Sequence, residues 1–215
     1  MKKFLIGISI FVLFIATLYY WNESNKRGEQ HPEINSAAGK PDDYLMEVME
    51  YEGEHRHRKS AIKLEMAIES IWALEQGVDD ESFERLELAV KKLENVHRRI
   101  LRDSIPYDEL MTSLEFVLGN LAHVELEVAA KYSASNQTSE TRTALKYAQL
   151  HLKNILVLHN PNIDDESLIL KSELKLLEEI DSLLSNKELS QAQYSEALDK
   201  MLKEVDLILE KIDED

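Results

Sequence analysis

The chain has 215 residues, with 25 lysines and arginines against 41 aspartates and glutamates, a net charge of −16 and no cysteine. That charge disfavours nucleic acid as a partner, and the missing cysteines exclude disulfides and thiolate metal centres. Leucine, glutamate, lysine and alanine dominate, glycines and prolines are few, and strand-type alternation is absent, so an all-α fold is expected.

Behind Met1-Lys2-Lys3, Phe4 to Trp21 runs without a charge. As a helix it reaches about 27 Å, close to the thickness of a bilayer's hydrocarbon core. Tyr19-Tyr20-Trp21 closes it with amphipathic rings suited to the headgroup layer. A cleaved signal peptide needs small residues just before the cut, yet Leu18 to Asn22 offers only bulky ones. Residues 1–21 therefore read as a retained transmembrane anchor. Lys2 and Lys3 on one side are matched by Lys26, Arg27 and Lys40 on the other, so the positive-inside count is nearly tied. The short basic leader and the acidic tail together point to a bacterial inner membrane with the C-terminal domain outside the cytoplasm.

Residues 22–42 carry polar, charged, Gly and Pro residues without apolar periodicity and read as a flexible linker. A short helix is expected from Asp43 to Glu52, with Leu45, Val48 and Met49 on one face. Beyond it, apolar residues recur at spacings of three and four. One seam is Phe83, Leu86, Val90, Leu93, His97 and Ile100; a second is Leu110, Leu114, Val117, Leu121, Val124 and Val128. The last is Tyr194, Leu198, Met201, Val205, Ile208 and Ile212, and Ser190 with Gln193 forms a capping box ahead of it.

Val78-Asp79-Asp80-Glu81-Ser82 recurs 85 positions later as Ile163-Asp164-Asp165-Glu166-Ser167, each time at a helix start, where a carboxylate caps free amide donors. At an offset of 84, the seam from Leu110 to Val128 falls on Tyr194 to Ile212. About six amphipathic helices in two tandem three-helix units are expected, residues 43–132 and 140–215, joined by a loop at 133–139.

Seven histidines raise the question of a metal. His55 and His57 lie about 200° apart on a helix and cannot share an ion there, and Arg56, Arg58 and Lys59 beside them repel one. His123 and Glu127 have the spacing of one helical face, a common pairing, and Gly119 inside a helix suits the close approach of another. No carboxylate pair stands with a nucleophile or histidine as a catalytic dyad requires. No catalytic, cofactor or metal residue is assigned.

In an antiparallel hairpin the helix beginning after His55 starts beside the end of the helix finishing near Arg102. This gathers Arg56, Arg58, Lys59, Arg98, Arg99 and Arg102 into a basic patch, expected where the tether arrives and suited to anionic lipid or an acidic partner. The plainer expectation is that these cations complement a helix's negative end and pair with Glu52, Glu54 and Asp103. The sequence thus points to a membrane-anchored, non-catalytic interaction protein of the cell envelope, a scaffold, adaptor or assembly factor. It would hold the bilayer through residues 4–21 and another membrane or envelope protein through its helices. The alternative is a tethered bundle that binds or senses a metal or small ligand.

Overall fold

The computed structural model describes residues 37–75, 78–102, 105–158, 168–186 and 189–214. Seven helices and no strand occur among them: α1 (Lys40–Gly53), α2 (His57–Trp72), α3 (Asp80–Ile100), α4 (Tyr107–Ala134), α5 (Thr138–Leu158), α6 (Leu168–Ser185) and α7 (Gln191–Glu214). The protein is an all-helical bundle. No helix among the described residues is long and apolar enough to cross a membrane. The expected anchor, most of the linker, His159 and the second copy of the Asp-Asp motif lie outside the described residues.

The 28-residue α4 organises the rest. It packs on α3, α5 and α7, while α6 lies on α5 and α7, so α4 to α7 close a ring of four. On the other side α1 packs on α2, α2 on α3, and the start of α1 reaches α5. The seam expected on α4 is buried at Leu110, Leu114, Val117, Leu121 and Val124. Its other faces are buried too, through Met111, Leu118, Ala122, Leu126 and Ala129, because a helix apolar all round finds neighbours on every side. One apolar cluster continues from Ala38 to Ile212 through both expected units.

Gly119 is where α7 comes closest to α4: a methyl group there would lie 2.7 Å from Leu209 Cδ2. Gly119→Leu is therefore expected to lower stability by about 1–3 kcal/mol through overpacking. Gly119→Ala is expected to change little, since a propensity gain of about 1 kcal/mol offsets the shift forced on the flexible Leu209 tip. Urea unfolding midpoints of both variants check this.

Local sequence sets the helix ends. Asp79 caps α3, accepting from the Ser82 amide at 3.1 Å, and pairs with Lys131 of α4 at 2.5 Å. The Lys131 ammonium, aided by the Ser82 amide, holds the Asp79 carboxyl down at about 2. Asp79 is half exposed, so solvent screening keeps the contribution to about 1 kcal/mol, the usual size for such a cap. This stabilisation is complete above the ordinary value of 3.8 and is lost as pH falls through about 2. Asp79→Ala should accordingly lower the melting temperature at pH 7 but not at pH 2. At α7, the Ser190 amide donates to Gln193 Oε1 at 3.0 Å, completing the expected capping box.

α1 and α4 both end in Schellman turns. Arg56 N–H donates to Tyr51 O and Gln137 N–H to Tyr132 O, which places His55 (φ 57°) and Asn136 (φ 56°) in the left-handed conformation.

Two expectations are corrected. Residues 37–42 are not linker: α1 begins at Lys40, with Pro41 in its first turn, where its fixed φ suits a helix start, and Ala38, Pro41 and Asp42 are buried. The chain also does not enter at the basic end. Gly39 lies against Tyr147 and Leu150 of α5, and α1 then runs about 21 Å before reaching that end.

Candidate functional site

The six cations named from sequence do lie at one end of the bundle. The corner between α1 and α2 abuts the corner between α3 and α4, where Gly53, His55 and His57 share a cavity of about 240 Å³ with Ile105, Tyr107 and Leu110. Several of the cations are answered locally. Arg56 pairs with Glu54 at 2.6 Å, Arg99 pairs with Glu109 of α4, and Lys59 sits 5.3 Å from the Tyr51 ring. His57 Nδ1 is 2.9 Å from Glu52 and its ring meets His55 edge-on at 6.3 Å, so the two imidazoles do not face a common point. Arg58, Arg98 and Arg102 are exposed and form no ion pair with a described residue. Leu101 and Tyr107, 58% and 47% exposed, flank them.

A second polar cluster joins α3, α4 and α7. His123 is buried and its Nε2 lies 3.2 Å from Asp206 Oδ1, while its Nδ1 faces Glu127 Oε1 at 3.6 Å. Asp206 also pairs with Arg85, and Glu127 accepts from the Ser82 hydroxyl. Burial and the nearby Arg85 guanidinium lower the His123 pKa against the pull of Asp206, and burial raises that of Glu127. His123, Glu127 and Asp206 border a cavity of about 450 Å³ that Asp79, Glu81, Asp199 and Lys203 also line. Glu127 and Asp206 lie at opposite edges of the His123 ring, so the two carboxylates and one ring nitrogen do not surround a common point. No group of three or more metal-ligating side chains is placed to hold one among the described residues.

The third cluster is the deepest, and its pairing was not read from the sequence. Asp42 in the first turn of α1 is 1% exposed and His151 of α5 is 0% exposed. His151 Nδ1–H donates to Asp42 Oδ1 at 2.7 Å, and Asn154 Nδ2 donates to Asp42 Oδ2 at 2.6 Å. Glu125 of α4, also buried, faces this pair. His151 Nε2 and Glu125 Oε2 are both enclosed without a hydrogen-bond partner among the described residues. Burial pushes the Glu125 carboxyl up to about 7, with Asp42 adding to the rise and His151 opposing it. Burial alone would lower the pKa of His151, but the charge and hydrogen bond of Asp42, together with Glu125, hold it above the ordinary imidazole value. Burial and the charge of Glu125 also raise Tyr147, while burial with Glu140 and Glu125 raises Tyr132.

The signal that would have found this cluster is Glu125, an acid between Val124 and Leu126 on a helix whose every face is buried. Its partners are over a hundred residues apart in sequence, as Asp42 and His151 are. His97, expected on a seam, is half-buried with Nε2 3.3 Å from Glu65 of α2. Comparison with protein-family models, curated proteins and solved structures found no match to this chain.

Proposed function

We propose that the chain is a membrane-anchored helical interaction module, held at the bilayer by residues 4–21 and docking through its arginine-bearing end on an acidic surface of another membrane or envelope protein. The supporting observation is the exposure of Arg58, Arg98 and Arg102 without carboxylate partners among the described residues, on a chain of net charge −16, beside exposed Leu101 and Tyr107. A guanidinium presents a planar fork that binds carboxylates in pairs. Arginine and tyrosine are also the residues that most often dominate binding energy at protein interfaces. In this reading the protein binds and positions its partner and carries out no reaction.

The test is capture of the full chain, in mild detergent, from its native membranes. A partner with an acidic face is expected with the wild type, weakened as salt rises, and lost from the combined Arg58→Glu, Arg98→Glu and Arg102→Glu variant. Equal recovery with wild type and variant would overturn the assignment of the docking end. The competing reading, uptake of a metal by the bundle, has its best footing at His123, Glu127 and Asp206. Because Glu127 and Asp206 lie at opposite edges of the His123 ring and no three ligands converge there, titration calorimetry with zinc is expected to show no saturable heat at this cluster.

A further inference from the structure

We propose that the first turn of α1 is a protonation-controlled latch: the proton on the Glu125 carboxyl keeps Asp42 seated on α5, and loss of that proton unseats the turn. The inference goes beyond the docking reading and does not rest on it. Its basis is geometric. Asp42, Glu125 and His151 come from three different helices and are 1%, 7% and 0% exposed, with Glu125 Oε2 and His151 Nε2 shut off from solvent, so charge added there is poorly relieved by water.

With Asp42 a carboxylate, His151 an imidazolium and Glu125 protonated, the cluster is neutral and every charge is paired. Removing the Glu125 proton leaves one uncompensated negative charge inside the bundle, beside the Asp42–His151 pair. The titratable groups facing the cluster are Asp42 from α1, Glu125 and Tyr132 from α4, and His151 and Tyr147 from α5. The charges acting on Glu125 are those of His151 and Asp42; no described lysine or arginine adds a compensating one.

Of the three helices, the start of α1 is the cheapest to move. α4 and α5 pack along their lengths in the central hairpin, whereas α1 makes little contact with α5, through Gly39 and Asp42 near its start, and otherwise packs on α2. Moving that turn lets water reach Asp42 while leaving the rest of α1 in place.

The absence of native cysteines makes the test clean. Spin labels at Lys40→Cys and Lys153→Cys, both exposed, report the separation of α1's start from α5 in the full chain in detergent micelles. At pH 5.5 a single narrow distance is expected. At pH 8.5 a second, longer population should appear, while far-UV circular dichroism stays at its pH 5.5 value. Glu125→Gln, which cannot acquire the charge, should keep the narrow distance at both pH values, and Glu125→Leu should do the same. An unchanged wild-type distribution at pH 8.5 would overturn the latch, as would equal broadening in either variant.

Discussion

Replacing His151 by alanine is expected to destabilise the protein by about 3–5 kcal/mol, the cost of removing one partner from a buried ion pair. The loss leaves the Asp42 carboxylate, 1% exposed, with Asn154 as its remaining hydrogen-bond donor and Glu125 facing it. Total stabilities of domains are about 5–15 kcal/mol, so such a loss takes a large share of the whole. The effect should shrink when the other partner is removed as well. Asp42→Ala combined with His151→Leu takes the charge and the imidazole out together and restores apolar volume, so most of the stability should return. Urea unfolding of these two variants and the wild type at pH 7 measures this. A cost below about 1 kcal/mol for His151→Ala would mean that the pair is not desolvated as described.

Stability is also expected to fall as pH rises from 5 to 8. The folded protein holds the Glu125 proton up to about pH 7, whereas an unfolded chain releases it near the ordinary value of 4.5. The folded state therefore binds more protons across that window. The stabilisation is complete below 4.5 and lost as pH rises through about 7, a change of about 3 kcal/mol. His151, raised above its ordinary value, acts in the same direction, since its proton favours the folded state until pH passes its folded value. For a protein of this size the change corresponds to a fall of roughly 6–12 °C in melting temperature. Glu125→Gln should flatten the profile and exceed the wild type in stability at pH 8. A wild-type melting temperature constant between pH 5 and 8 would contradict the placement of Glu125.

Much of the helical architecture was legible because it depends on local pattern. The seams from Leu86 to Ile100, Leu110 to Val124 and Leu198 to Ile212 are buried where spacings of three and four placed them. Asp79 and Ser190 cap helices because a side-chain oxygen next to free amides satisfies them whatever the tertiary fold. Gly119 accommodates Leu209 as an isolated glycine within an apolar helix suggested. What stayed hidden depends on which helices become neighbours. The sequence gives α4 one seam, but burial of Met111, Leu118 and Leu126 shows that α3, α5 and α7 cover it from several sides. At the basic end, the pairing of Arg56 with Glu54 lies within reach of sequence reasoning. That of Arg99 with Glu109 needs the α3–α4 corner to be known. The meeting of Asp42 with His151 requires the path of α1, which returns the chain's start to α5.

The central claim is that an uncut apolar N-terminal segment holds this helical bundle at a membrane, and the most direct measurement is of the mature chain in its native cells. Membranes should be washed with alkaline carbonate and the N-terminal sequence of the retained protein determined. The chain is expected to stay with the lipid and still carry Phe4 to Trp21. Recovery of the protein in the wash, beginning after Trp21, would contradict it.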